Sequence, residues 1–218
     1  MNIRPKEGSV MIQLLNSNFL SPTTELRSLI LLQAINGEPE NSQHKLGKMT
    51  GLSSSMVNNY MKRFKEDGLI SIKGETNRSR TYHLTKVGRN LLRESLLSCS
   101  AEIVQLYGAV KREIAKILNE YYDRDGLRTV VLYGAADTAE VVHTALKETP
   151  LVVIGIVDSD INKQGKSFNG FIIQAPEQIR YIRPDAVIIT SFAKQEEIYQ
   201  SVCRIVSPGI LIKKLSVI

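Results

Sequence analysis

The apolar positions of the first ninety residues run at a helical period, switch to strict alternation, and switch back. Thr24 is placed to cap a helix whose inward stripe is Leu26, Leu29, Ile30, Leu32 and Ile35, stopped by Asn36-Gly37 and Pro39. A second short helix from Ser42 turns Leu46 and Met49 inward and ends at Thr50-Gly51, where glycine can take a positive φ. Ser53 caps a third helix with Val57, Tyr60, Met61 and Phe64 on one face, and Gly68 ends it. Two strands, Leu69 to Ile72 and Arg80 to Leu84, flank a turn-rich tip from Gly74 to Arg78, and Thr85 caps the next helix. From Leu92 the apolar positions fall at 92, 96, 99, 103, 107, 110, 114, 117 and 121. Spacings of four and three alternate there as in a coiled-coil seam. Such a helix, ending near Asp123 to Gly126, either pairs with a second copy or packs along its own domains. Beyond it lie short apolar runs, Thr129–Tyr133, Leu151–Val157, Phe171–Ile173, Ala186–Ile189 and Ile210–Ile212. Helical stretches at Gly134 to Leu146, Glu177 to Tyr181 and Lys194 to Val206 separate them, which predicts a parallel sheet covered on both faces.

A length of 218 residues suits two compact units. The expected boundaries are 1–90, a connector at 91–126, and 127–218. Hydrophobic content of 43% with 23% charged residues is that of an ordinary soluble protein, and no apolar run is long enough to span a bilayer. The N-terminus lacks the apolar core of a secretory signal, and the two cysteines, Cys99 and Cys203, fit a reducing compartment, so a cytoplasmic setting is expected. Three scattered histidines suggest no metal site. The net charge of +6 changes the picture through its position: residues 1–90 hold 13 Lys/Arg against 7 Asp/Glu, and residues 91–218 hold 15 against 15. The whole excess lies where it can neutralise phosphates.

The phrases LGKMTGLSSSMVNNYMKRFKEDGLI and NRSRTYHLTKVGRNLL carry a resemblance to the winged helix-turn-helix regulators of bacteria and archaea, over residues 20 to 95. The resemblance implies a third helix that enters the major groove of double-stranded DNA. Ser54, Ser55, Asn58 and Asn59 near its start suit base edges, Lys62 and Arg63 suit phosphates, and Arg78 and Arg80 on the hairpin suit the backbone or a narrow minor groove.

In the second half, Gly134 follows the first strand where a glycine-rich nucleotide turn begins, and Asp158 closes the second strand 24 residues on, about where an acidic group holds a ribose hydroxyl. Gly134, Ala135, Ala136, Asp137, Thr138 and Asp158 are therefore the candidate ligand site. Ala136 and Ala139 occupy the other glycine positions, and Asp137 places a negative charge at the helix start. A diphosphate held further out, a mononucleotide, or a plain strand-to-helix turn all fit. The stretch VVIGIVDSDINKQGKSFNGFII resembles the Rex redox repressors, which join a winged helix to an NADH-binding domain. It is equally similar to the nucleotide-sugar-binding domains of polysaccharide-modifying enzymes.

The expected fold is thus an α+β winged helix domain, a long connector helix, and an α/β Rossmann-like doubly wound parallel sheet. The expected function is a homodimeric DNA-binding regulator with a nucleotide-type effector, either NAD(H) or a nucleotide sugar. A nucleotide-sugar or NAD-dependent enzyme and an interaction module without ligand are the alternatives. Against catalysis, His143 is the one histidine of the second half, with no acid–base constellation around it.

Overall fold

The computed structural model describes residues 22–74, 80–192 and 194–215. The chain divides into two compact units between Val104 and Gln105, inside a continuous helix.

In the first unit, helix α1 (Thr24–Gly37) is capped by Thr23 rather than Thr24: the Thr23 hydroxyl accepts from the Leu26 N–H at 3.2 Å. Leu29 to Leu32, Ala34 and Ile35 are all buried, so α1 is enclosed on nearly every side. Helix α2 (Gln43–Thr50) is capped by Ser42, and helix α3 (Ser54–Glu66) by Ser53. Gly51 links them at φ +67, a conformation that costs a side chain-bearing residue and that glycine adopts freely. Strands β1 (Ile70–Lys73) and β2 (Thr81–Leu84) pair antiparallel with Ile70 opposite Leu84 and Ile72 opposite Tyr82. One core joins α1, Leu46, Val57, Met61, Phe64, β1, β2 and Leu92.

Helix α4 (Lys86–Asp123) differs from expectation in two ways. It starts at Lys86, ahead of residue 91 where the connector was expected to begin, on the hydroxyl of Thr85, to which the Gly88 N–H donates at 3.0 Å. Its heptad positions also do not form one seam. Leu92, Leu96 and Cys99 join the core of the first unit, and Ile114, Ile117 and Tyr121 join that of the second. Between them Ile103, Val104, Leu106, Tyr107 and Val110 are exposed.

The second unit holds a six-stranded sheet in the order β5-β6-β4-β3-β7-β8. Its strands are β3 (Thr129–Tyr133), β4 (Val152–Val157), β5 (Ser167–Phe168), β6 (Phe171–Gln174), β7 (Ala186–Ile189) and β8 (Leu211–Lys214). All neighbours are parallel except the edge pair β5–β6, a short hairpin that the apolar runs did not announce. Helices α5 (Asp137–Leu146), α6 (Ile179–Ile182) and α7 (Gln195–Cys203) lie between strands. Val142, Ala145 and Leu146 of α5 pack with Ile114 and Leu118 of α4 against Val130, Leu132, Ile156 and Ile188. Ile179 and Val202, from α6 and α7, pack with Val131, Tyr133, Val157 and Val187, the alternate residues of the same strands. Strands β3, β4 and β7 thus send successive side chains to two different cores, which is why their sequences read as unbroken apolar runs. The parallel order reverses between β3 and β7, and ligands of open α/β sheets bind at such a switch point, beyond the carboxyl ends of the strands.

Candidate nucleic-acid interface and ligand crevice

Helix α3 separates its two faces cleanly. Val57, Met61 and Phe64 are buried, while Ser54, Ser55, Asn59, Lys62 and Arg63 are exposed. The Ser55 hydroxyl lies 3.0 Å from that of the cap residue Ser53, and Arg63 pairs loosely with Asp67 at 3.6 Å, both groups in solvent. Asn58 differs from its neighbour. It is half-buried, and its side-chain oxygen accepts from Nε2 of Gln43 at 3.4 Å. The same Nε2 donates to the hydroxyl of Tyr82 on β2 at 3.0 Å. Arg80 is half-buried at the return of the hairpin, and Arg78 lies outside the described residues. Gln43 carries no periodic or charge signal, and the alternation that marks Tyr82 as inward does not report its hydroxyl contact, so sequence reasoning missed both roles.

In the α/β unit the crevice residues are Gly134, Ala135, Asp158 and Thr190. Gly134 leaves β3 at φ +114, and its N–H donates to the Val157 carbonyl at 2.7 Å. A Cβ there would meet the Thr190 hydroxyl at 2.6 Å. That hydroxyl, fully buried at the end of β7, donates to the Tyr133 carbonyl at 2.9 Å and lies 3.2 Å from that of Gly134. The strand-to-helix turn is therefore pinned from the neighbouring strand. Ala136 and Asp137 are exposed, Thr138 is half-buried, and no side chain caps α5.

The Asp158 carboxylate accepts from three donors of this chain. One carboxylate oxygen accepts from the Ala135 N–H at 2.8 Å and from Lys163 at 3.0 Å, and the other from the Asp160 N–H at 2.9 Å. Burial alone would push its carboxyl up; the donors Asp160, Lys163 and Ala135 outweigh that and hold it below the usual range. The acidic group thus stands at the spacing expected, beside the turn expected, with both oxygens already occupied by this chain. Lys163 and Thr190 are further crevice residues that spacing did not reveal.

A hollow of about 280 Å³ lies at the opposite end of β4, lined by residues including His143, Lys147, Val152 and Phe171. Burial, and after it the neighbouring Lys147, lower the basicity of His143, whose Nδ1 is buried without a hydrogen-bond partner among the described residues.

Residues 27–71 match the model of winged helix-turn-helix DNA-binding domains. Residues 126–209, the α/β unit, match a model described as C2185-like, N-terminal. Among solved structures, a MarR family protein of Mycobacterium tuberculosis in complex with salicylic acid is 16% identical, with 50% of this chain and 83% of that chain covered and a TM-score of 0.34. Streptococcus pneumoniae FabT in complex with DNA is 18% identical over 44% and 67%, with a TM-score of 0.33. A UDP-D-quinovosamine 4-dehydrogenase from Vibrio fischeri is 17% identical over 41% and 79%, with a TM-score of 0.35. No curated protein matches the chain. Among the described residues no helix is long and apolar enough to cross a membrane.

Proposed function

We propose that this chain is a cytoplasmic, sequence-specific transcription regulator that binds double-stranded DNA as a homodimer. One observation carries the reading. Within a segment that matches winged helix-turn-helix DNA-binding domains, α3 offers exposed Ser54, Ser55 and Asn59 and half-buried Asn58 at its start and exposed cations further along, over buried Val57, Met61 and Phe64. Short polar groups near the helix start suit base edges, and Lys62 and Arg63 suit the phosphates beside them. The exposed middle of α4, from Ile103 to Val110, supports pairing with a second copy, because Glu102 is the one charged residue between Ser95 and Val110. A solvated helix surface normally carries many more charges.

The test is selection of duplexes from a random pool, followed by binding across a salt series. Wild type should enrich one site with a steep salt dependence. The Asn58→Ala/Asn59→Ala double variant should lose affinity for that site, about 1–3 kcal/mol per lost base contact, with little change in non-specific binding. Selection of no site, or an unchanged site and affinity in the double variant, would overturn the reading.

For the α/β unit the proposal is a Rossmann-like sensor taking a nucleotide-type effector, NAD(H) or a nucleotide sugar, between Gly134 and Asp158. The strand order and the position of the turn support it. A second reading, an interaction module without ligand, is favoured by the occupied carboxylate of Asp158. Calorimetry against NADH, NAD and UDP-sugars separates the two: binding below millimolar supports the sensor, and none supports the module.

A further inference from the structure

Asn58 is half-buried on α3, and its amide is planar, with the oxygen and nitrogen pointing to opposite sides. Its Oδ1 is turned towards α2, where Nε2 of Gln43 donates to it at 3.4 Å. Gln43 is itself held. The second N–H of the same nitrogen meets the Tyr82 hydroxyl at 3.0 Å, and Tyr82 is 2% exposed, with its backbone N–H on the Pro39 carbonyl at 3.0 Å. A buried tyrosine on the hairpin therefore fixes a glutamine on α2, and the glutamine fixes which end of the Asn58 amide faces outward. Among the described residues nothing takes the Asn58 Nδ2.

We infer that Gln43 is a positioning residue for base readout: it orients Asn58 so that this side chain presents donors only and selects a hydrogen-bond acceptor on the DNA. The inference rests on the DNA-binding reading above. An unconstrained asparagine pairs bidentately with adenine, donating to N7 and accepting from N6. Asn58, with its oxygen turned to Gln43 on α2, offers its Nδ2 rather than the accepting half. It matches acceptor edges instead, N7 and O6 of guanine or O4 of thymine. Asn59, exposed and without such a contact among the described residues, retains both halves. The two adjacent asparagines thus differ in what they read, a difference set by α2 rather than by α3.

The experiment compares sites selected from a random duplex pool by full-length wild type, Gln43→Met and Gln43→Glu. In Gln43→Met the side chain keeps its size and loses its polarity, so the Asn58 amide turns freely. Base preference should flatten about tenfold at one position and stay unchanged elsewhere. Gln43→Glu offers only acceptors, so the Asn58 amide should rotate to donate Nδ2 inward and leave Oδ1 outward. Preference at that same position should move to a base with an exposed donor, adenine or cytosine, whatever the added charge does to overall affinity. A merely structural role would lower stability or affinity without changing which base is chosen. Tyr82→Phe, which removes only the hydroxyl, should flatten the same position more weakly, and it keeps the test open if a Gln43 variant does not fold. Failure of wild type to select any site would overturn the regulator reading, and this inference with it. Selection by wild type with identical preferences in all folded variants would overturn the role of Gln43 alone.

Discussion

Gly134→Ala tests the hinge point of the α/β unit without reference to any ligand. Two costs are added at once. An alanine must hold φ +114, outside the regions a Cβ tolerates, which costs about 1–3 kcal/mol. Its methyl would also stand 2.6 Å from the Thr190 hydroxyl, so Thr190 has to move. That hydroxyl is buried and hydrogen-bonded to the Tyr133 carbonyl, and giving up a buried bond costs a further 1–3 kcal/mol or so. The expected loss is about 2–6 kcal/mol, a large share of the roughly 5–15 kcal/mol that holds a domain together. A double-mutant cycle separates the two costs. In a Thr190→Ala background the clash is gone and the backbone strain remains, so Gly134→Ala should cost about 1–3 kcal/mol less there. Urea unfolding followed by circular dichroism measures the stability. Hydrogen exchange at β3 and β7 localises it, since two units need not unfold together. A loss below about 0.5 kcal/mol, or the same loss in both backgrounds, refutes the account.

The uncovered stretch of α4 predicts that Val104→Glu shifts wild-type dimer towards monomer in sedimentation, with association weakened about tenfold or more; a wild type already monomeric at micromolar concentration removes the proposal. Ile114→Glu should act differently, unfolding the second unit, because Ile114 is 1% exposed within its core. Asp158 and Asp185 are both held below the usual carboxylate range, Asp158 by the donors that outweigh its burial and Asp185 first by the Thr129 and Arg128 N–H groups. A depressed folded pKa means that the unfolded chain binds more protons as the pH falls. The stability these groups supply is complete above their unfolded value, about pH 4, and is lost below it. The urea midpoint of the α/β unit should therefore drop steeply below about pH 4, less so in Asp158→Asn; an equal midpoint at pH 3 and pH 6 would contradict this.

Much of the fold was legible because local signals and tertiary packing agree. Ser42 and Ser53 cap the helices that their positions suggested, and β1, β2, β3, β4 and β7 stand close to where the apolar runs placed them. The cap of α1 moved by one residue because Thr23 and Thr24 are chemically equivalent, and only the register of the first turn chooses between them. Strand β5 is two residues long and stands on its hairpin pairing with Phe171 and Ile172, so no periodicity reports it. The seam of α4 shows a different limit. Heptad spacing says which residues share a stripe, not what covers it. Here the stripe is divided among the core of one unit, the core of the other, and solvent.

The same limit applies more sharply at the two candidate sites. Spacing located Asp158 beside the β3–α5 turn, since strand lengths dictate where β4 ends relative to β3. Spacing cannot report occupancy, and occupancy decides the chemistry. A carboxylate with two open oxygens can accept both hydroxyls of a ribose. Asp158 instead ties Ala135, Asp160 and Lys163 to one another. The carboxylate has about four acceptor sites and three are taken, so both hydroxyls of a ribose fit only if one donor leaves, and Lys163, its side chain 35% exposed, can swing into water. The Ala135 N–H has no such exit, because Ala135 is buried. A nucleotide that sets both ribose hydroxyls on Asp158 by displacing Lys163 would free that ammonium for a phosphate. Binding at this crevice would then couple the ribose to the phosphate through one lysine. Asp158→Ala should weaken it several-fold, and Lys163→Met should free the carboxylate while removing the cation. Calorimetry on both variants distinguishes this arrangement from a simple acceptor, for which Lys163→Met could only tighten binding.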